Sequence, residues 1–452
     1  MGTRNREKRA AKKRARQRRG PTPPRGGFAM GPHGPGCTCD EHVDPGAFPP
    51  PIPPVEGLVE VLLDAARSGD PAQARACASE FASGYFARDP GVVGRAAGVA
   101  LLRMIGALWR GGWLPLDTWE ITRRRIDTLH AELLVDMIAA DTAQYAQHTV
   151  HERWDAQVHH LDADVWWRRD RPHLLQWAQR NALDLEQALA ATIALLTELA
   201  RLPRLPQILP PPGSTTRRAT AAPGVDQKIL SRVRALLAKA ESTEFPQEAE
   251  ALSAKAQELM NRHAFERALL DVDEHKPQEA SSTRIWLDNP YVEAKSHLVQ
   301  AIANANRCRT VFSPHLGFVA VVGNPLDLDI TELLTMSLLV QATRAMVAEG
   351  RQVSRTGTSR TRSFRQAFLI AYAGRIGERL QQAGTQAQAA QADDRLLPVL
   401  ADRSRAVEET FREMFGDTYT KTISVTNGAG WEAGRAAADR ADLSVDRRAV
   451  SS

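Results

Sequence analysis

The sequence has little of what several large protein classes require. Only 4 of its 452 residues are cysteine, and only Cys37 and Cys39 lie close together, which argues against a disulfide framework. No uninterrupted apolar run approaches the ~20 residues that a membrane-spanning helix needs, and the basic N-terminus has no apolar stretch like that of a secretory signal. These absences predict free thiols, a cytoplasmic location and no membrane partner.

The sequence also lacks the short motifs of several enzyme classes. It contains no Gly-x-x-x-x-Gly-Lys phosphate loop, Gly-x-Gly-x-x-Gly turn, Gly-x-Ser-x-Gly elbow or pair of Cys-x-x-Cys motifs, which disfavours P-loop hydrolysis and serine-esterase chemistry. Cys308, with His297 and His315 nearby, is better explained as a buried thiol beside a strand than as a nucleophile.

Positive charge is concentrated at one end of the chain. Residues 1–20, here called the basic arm, hold 10 Lys and Arg against one acid, Glu7. Subtracting the arm's +9 from the chain's +5 leaves −4 for the other 432 residues. The high pI therefore belongs to the arm, which is suited to seek polyanions.

Proline marks the predicted domain boundaries. Residues 1–54 hold 11 of the 27 prolines and are predicted to be a disordered tail. A second stretch, 202–224, holds six prolines and is predicted to be a linker. Between them, residues 55–201 show helical apolar periodicity and are predicted to form an all-helical domain, with Asp70 capping a helix at Pro71. Seven of the nine tryptophans lie in 109–177 and are predicted to fill the core and grooves.

The second half has a mixed pattern, which predicts an α+β domain at 283–443 and a tail at 444–452. The chain as a whole is therefore predicted to be an α-rich α+β protein with a central αα-hairpin at 225–272 and a small antiparallel sheet. The predicted strands are 283–287, the hairpin 308–312 and 317–322, and 396–400. Helices are predicted to be opened by Asn289 and Pro290 and by the N-cap Asn324, and to occupy 363–382, 404–415 and 429–441.

Two consecutive segments carry a family resemblance. Residues 228–243 and 248–263, which read KILSRVRALLAKAEST and EAEALSAKAQELMNRH, resemble the domain of unknown function (DUF) 2786. Residues 285–291, 363–368 with 375–380, and 433–443 are similar to the C-terminal region that accompanies that domain. The resemblance implies bacterial or phage-type genomes and no established reaction, cofactor or catalytic residue. The N-terminal half resembles no family.

The DUF2786-like segment has the pattern of an αα-hairpin whose apolar faces pack together. Gly430 and Gly434, four residues apart in the last helix, indicate close packing of that helix as well. A basic rim remains on the hairpin. It is interpreted as a solvated charged face in preference to a phosphate-binding face, and its candidate phosphate ligands are Lys228, Arg232 and Lys239.

Two further basic stretches are candidate nucleic-acid sites. Closely spaced cations in the arm can displace counterions from a phosphate backbone without a fold; the alternative is a solubilising tail. Residues 351–365 contain five arginines and no acid, and they run into a helix N-terminus suited to phosphate; the alternative is a disordered surface loop. The candidate arginines are Arg14, Arg16, Arg18, Arg19, Arg355, Arg360, Arg362 and Arg365.

Metal binding has weaker support. A cluster within twelve residues would place His151, Asp155 and His159 on one helical face, yet Asp155 stands where the second histidine of His-Glu-x-x-His belongs. A polar helix surface is therefore favoured, and no cofactor is predicted. The candidate metal ligands are His148, His151, Glu152, Asp155 and His159, and, in the Pro-rich tail, His33, Cys37, Cys39 and His42.

Three functions remain open on the sequence alone. The favoured one is a non-enzymatic accessory protein that binds DNA or RNA through its phosphates. The second is a metal-dependent hydrolase in which Glu152 acts as base and a divalent metal activates water. The third is an interaction scaffold, which would bind a partner protein or a second copy of the chain.

Overall fold

The fold is known from a computed structural model that describes residues 54–214, 231, 235, 246–273, 280–352, 359–390, 394–416, 418 and 427–441. These residues belong to one compact unit, 53–452. They contain fourteen α-helices with defined bounds and one sheet of three antiparallel strands. The predicted α-rich α+β class is confirmed.

All regular elements in residues 54–214 are helical, as the periodicity predicts. Asp70 caps its helix by accepting a hydrogen bond from the backbone N–H of Ala72 at 2.8 Å, ahead of Pro71, so this predicted helix start is also confirmed. The helices are α1 (Val55–Ser68), α2 (Pro71–Ala82), α3 (Pro90–Arg110), α4 (Pro115–Arg125), α5 (Thr128–Thr142), α6 (Glu152–His160), α7 (His173–Arg180) and α8 (Leu185–Ala200).

The core of this region uses tryptophan as predicted. Trp109, Trp113, Trp154 and Trp177 are at most 2 % exposed, and the rings of Trp109 and Trp154 meet edge to face at 5.0 Å. Among the described helices, α3 alone has the length and hydropathy of a membrane span. Nine of its residues are buried against neighbouring elements, and core helices of this kind pass the same test of length and composition.

The remaining elements form the C-terminal part of the unit. They are α9 (Pro246–Asp273), β1 (Ser281–Trp286), α10 (Val292–Ala305), β2 (Arg309–Ser313), β3 (Phe318–Gly323), α11 (Pro325–Ala348), α12 (Thr361–Ala389), α13 (Leu396–Phe415) and α14 (Gly428–Arg440). Ser231 and Ala235, at the first arm of the predicted hairpin, are helical; the rest of that arm lies outside the described residues.

One predicted element is wrong and another is displaced. Residues 396–400 are not a strand but the first turn of α13, because the apolar side chains continue at helical spacing through Val399, Val407 and Phe411. Pro398 is compatible with a helix there because the first-turn N–H groups have no intrahelical partner. The helix predicted after Asn289 and Pro290 begins at Val292. Asn324 caps α11 at Pro325 as predicted.

The sheet is covered on both faces. Its order is β1-β3-β2, with Trp286 opposite Phe318 and Arg309 opposite Val322. All six residues of the central strand are buried. Phe318 and Ala320 join the core of the N-terminal helices, whereas Val319 and Val321 pack with α10 and α11. The sheet is therefore the layer between the two halves.

The described part of the predicted linker, 202–214, packs onto the helical region. The indole N–H of Trp113 donates to the carbonyl of Pro203 at 2.8 Å, and Leu209 is buried. Much of 215–245 lies outside the described residues, so the predicted boundaries at 202–224 and 225–272 remain predictions.

Candidate nucleic-acid interface

The described residues include three of the candidate phosphate ligands. Arg360, Arg362 and Arg365 lie at the start of α12. The others fall outside the described residues: Arg14, Arg16, Arg18, Arg19, Lys228, Arg232, Lys239 and Arg355. The same holds for the metal candidates His33, Cys37, Cys39 and His42.

The two ends of the arginine-rich stretch are held together. The backbone N–H of Arg360 donates to the carbonyl of Gln352 at 3.0 Å. The hydroxyl of Thr361 accepts from the N–H of Gln352 at 3.1 Å and donates to its carbonyl at 3.2 Å. These bonds fix Gln352 at the N-terminus of α12, so the backbone of Arg351, one residue earlier, lies close to that terminus.

The charges at this site are not neutralised within the described part of the chain. Arg351, Arg360 and Arg362 are all exposed, and none of the three has an acidic partner among the described residues. No side chain caps the N-terminus of α12, so its first N–H groups point outward with the positive end of the helix dipole. We call this group of three arginines and the helix terminus the α12 arginine site.

Arg365 differs from its neighbours. It is half-buried, and its Nε is enclosed without a hydrogen-bond partner in the described residues. The adjacent Phe364 is buried in the core of the C-terminal part. Arg365 is therefore less available to a ligand than Arg360 or Arg362.

Helix α14 fixes the base of the α12 arginine site. Asn427 caps α14 by accepting from the N–H of Gly430 at 3.0 Å, and its amide donates to the hydroxyl of Ser363 at 3.3 Å. A Cβ at Gly430 or Gly434 would collide with the carbonyl oxygens of Phe364 and Phe368. The predicted close packing of these glycines is confirmed, and it holds α12 rigidly in place.

The five candidate metal ligands in 148–159 form no group of three, although Nδ1 of His159 lies 3.6 Å from a carboxylate oxygen of Asp155. His151 is the N-cap of α6 and accepts from the N–H of Arg153 at 3.1 Å, and its partial burial lowers its pKa. His159 is exposed and bonded to the backbone carbonyl of Asp155 at 2.8 Å. His148 and Glu152 are exposed as well. Nowhere in the described residues do three such side chains form a metal-binding group.

The thiols in the described residues are free and buried. Cys308 is 2 % exposed, and its Sγ lies 3.7 Å from the hydroxyl of Thr331. Burial raises the pKa of the Cys308 thiol to about 12. Burial likewise raises the pKa of Cys77 to about 11. The reading of Cys308 as a buried thiol beside a strand is confirmed, because a thiol this hard to ionise is a poor nucleophile.

The sequence reasoning missed two arrangements. Arg284 is 9 % exposed and reaches Asp117 of α4, at 2.5 Å. The second is the exposure of Trp166, which lies between α6 and α7 and is 39 % exposed, unlike the buried tryptophans. The pair of Arg284 and Asp117 has no local signal, because the two residues are distant in sequence. The exposed Trp166 had a local signal, the Trp-Trp-Arg-Arg run at 166–169.

Comparison with known proteins identifies one segment of this helix-rich α+β protein. A family model described as "Protein of unknown function (DUF2786)" matches residues 228–267, which agrees with the resemblance seen in the sequence. No curated protein and no solved structure matches the chain. The similarity of 285–443 to the region that accompanies the family segment stays a prediction.

The matched segment ends inside the C-terminal core. Its last residues belong to α9, where Met260 and Ala264 pack with α10, α11 and α12. The segment is thus joined to the helix that carries the α12 arginine site, although the family description assigns no chemistry to either.

Proposed function

We propose that the protein is a non-enzymatic accessory protein that binds the phosphate backbone of nucleic acids. The observation that supports this most is the α12 arginine site, three exposed guanidinium groups without acidic partners among the described residues, beside an uncapped helix N-terminus. Arginine in such a setting matches phosphate geometrically, because its fork donates two parallel hydrogen bonds.

Unpaired charge matters more here than charge itself. Several other arginines in the described residues are held by acids, as Arg375 and Arg435 are by Glu378. An arginine in a pair has already exchanged its counterions for a carboxylate. An arginine without a pair can still exchange its counterions for a phosphate, and the released ions favour binding at low salt.

The basic arm adds to this proposal from the sequence side. Its ten cations in twenty residues would extend the contact along a strand without base recognition. Binding is therefore expected to depend steeply on salt and only weakly on sequence, for both DNA and RNA.

The test is a pair of charge-matched variants of the full-length protein. Arg360→Gln with Arg362→Gln removes two charges from the α12 arginine site, and Arg75→Gln with Arg204→Gln removes two exposed charges elsewhere. Fluorescence anisotropy with labelled duplex and single strands at low salt should show a loss of at least roughly tenfold for the first pair, which corresponds to ~1.4 kcal/mol, the lower end of the range for one charge-assisted hydrogen bond.

The control pair should change the affinity much less, since it alters only the long-range field. If both pairs of substitutions lowered the affinity for nucleic acid equally, the α12 arginine site would contribute only through the overall charge of the protein. No binding by the unmodified protein at low salt would overturn the proposal.

A further inference from the structure

Trp166 is the one exposed tryptophan in residues 109–177, where the other six are buried or partly buried. It lies between α6 and α7, in a segment without regular secondary structure, and it keeps 39 % of its surface accessible, whereas Trp154 and Trp177 on the flanking helices keep 1 %. Core packing alone does not explain why a large apolar ring is exposed at this position.

The ring is nevertheless held firmly. Asp136 of α5 accepts a hydrogen bond from the Trp166 indole N–H at 2.8 Å through one oxygen, and its other oxygen lies 2.7 Å from Nε2 of His173. The side chains of Asp136 and His173 are only 12 % and 7 % exposed. The ring of His173 in turn meets Trp167 at 4.4 Å. An exposed aromatic ring fixed from below loses little entropy when a ligand binds to it.

One flat cation already stacks on this ring. The guanidinium carbon of Arg180 lies 4.5 Å from the centroid of Trp166, and Arg180 is itself exposed. Since a large part of Trp166 is still accessible, another flat ring can extend this stack. Nucleobases stack in this way on tryptophan and on arginine.

The surroundings carry unpaired positive charge. Residues 161–180 contain four arginines and three acids, Asp162, Asp164 and Asp170. Asp170 is bound by Arg168 at 2.7 Å and also feels the charge of Arg171. Arg169 and Arg171 are exposed, and Arg169 has no acidic partner among the described residues. An aromatic platform beside exposed arginines is the usual arrangement for binding single strands, whose bases and phosphates are both accessible.

We propose that Trp166 is a stacking platform for an unpaired nucleobase, with Arg169 and Arg171 contacting the phosphates next to that base. This inference rests on the proposed function and makes it narrower, because it names the single strand as the preferred nucleic acid. Duplex bases are stacked on each other and cannot reach the ring.

The experiment compares two strands on the full-length protein. One is a labelled oligothymidine of about 12 nucleotides, within the usual site size; the other is an abasic strand of the same length and charge. The unmodified protein should bind oligothymidine more tightly by roughly 5- to 150-fold, the range for one stacked base. Trp166→Leu should remove that preference and leave the affinity for the abasic strand unchanged.

Two further variants separate stacking from a structural role. Trp166→Phe keeps an aromatic face but loses the hydrogen bond to Asp136, so it should retain most of the preference. Trp431→Leu removes another tryptophan that is 37 % exposed and should leave the preference intact. If Trp166→Leu fails to fold, the affinities of the unmodified protein and of Trp166→Phe for the two strands still test the stacking inference.

Equal affinity of the unmodified protein for both strands would overturn the stacking inference and leave the proposed function standing. Competition by polyglutamate as effective as competition by oligothymidine would also overturn it, in favour of an acidic polypeptide partner. Failure to bind either strand at low salt would remove the proposed function and this inference together.

Discussion

Two groups of three arginines in this protein have opposite surroundings. Arg123, Arg124 and Arg125 end α4 and are engaged with acids and carbonyl groups. Arg351, Arg360 and Arg362 of the α12 arginine site have no acidic partner in the described residues. The comparison teaches that the number of arginines does not distinguish a structural cluster from a candidate binding site, whereas the presence of partners does.

The arginines of α4 join the helical region to the sheet. Arg124 donates to the carbonyl of Leu287 at 2.7 Å and pairs with Asp288 at 2.9 Å. Arg125 pairs with Glu198 at 2.7 Å. One partner is visible in the sequence, because Glu120 lies three and four residues before Arg123 and Arg124 and pairs with both. An acid at helical spacing is thus a local sign of a structural arginine.

The largest effect is expected at the most enclosed partner pair. Arg284→Ala would leave the carboxylate of Asp117 buried, together with the carbonyls of Gly112 and Pro206 that Arg284 also bonds. Removing one member of a buried ion pair costs ~3–5 kcal/mol, so the free energy of unfolding in urea should fall by about that amount.

The matched control for this prediction is Arg284→Met with Asp117→Leu, which removes both charges. It should recover much of the loss, although Trp286 then lacks the acceptor it has in Asp117 at 2.7 Å. If Arg284→Ala were as stable as the unmodified protein, the contrast between arginines with acidic partners and arginines without them would not hold.

An intermediate effect is expected at Arg124, which is 15 % exposed. Arg124→Ala should lower the free energy of unfolding by ~1–3 kcal/mol, the usual range for hydrogen bonds to a charged group. Arg360→Gln with Arg362→Gln should change it by less than about 0.5 kcal/mol, as exposed substitutions do. The same denaturant titration measures both, and similar losses at the two positions would contradict the comparison.

A smaller effect concerns pH and the enclosed thiols. Burial holds the pKa of Cys308 at about 12, above the ordinary value of 9.0. Below pH 9 the thiol is neutral in both states and its contribution to stability is fully present. As pH rises toward 12 the unfolded thiol ionises first, so stability falls by about 1.4 kcal/mol per pH unit.

Unfolding free energies of the unmodified protein and of Cys308→Ala, compared from about pH 8 to 10, isolate this dependence because other titrating groups cancel. The difference between the two should shrink as the pH rises above 9. A difference that does not change with pH would mean that Cys308 is not buried as described. The contrast between buried groups and the exposed arginines would then be weaker.

Most of the architecture was predictable because its signals are local. Asp70 with Pro71 and Asn324 with Pro325 each mark a helix start within two residues, and the hairpin of β2 and β3 has its turn residues between two β-rich runs. The run at 396–400 misled because Leu-Leu-Pro-Val-Leu is apolar on consecutive residues, and only the later positions of α13 show the helical period.

The candidate site was predictable only in part. Five arginines without an acid pointed to 351–365, yet the lack of acidic partners for Arg351, Arg360 and Arg362 among the described residues is a tertiary property. The pairing of Arg284 with Asp117 joins residues 167 apart, and that of Trp166 with Asp136 joins residues 30 apart. No spacing rule reaches such distances, so these contacts could not be predicted from one sequence.

The most direct test of the account is the salt dependence of single-strand binding by the full-length protein and by its Arg360→Gln, Arg362→Gln variant. If these arginines contact phosphates, the slope of log affinity against log salt should be steep and should decrease by about 1 for each arginine removed, with the free energy of unfolding unchanged. An identical slope for the two proteins would contradict the claim that the unpartnered arginines of α12 bind nucleic acid.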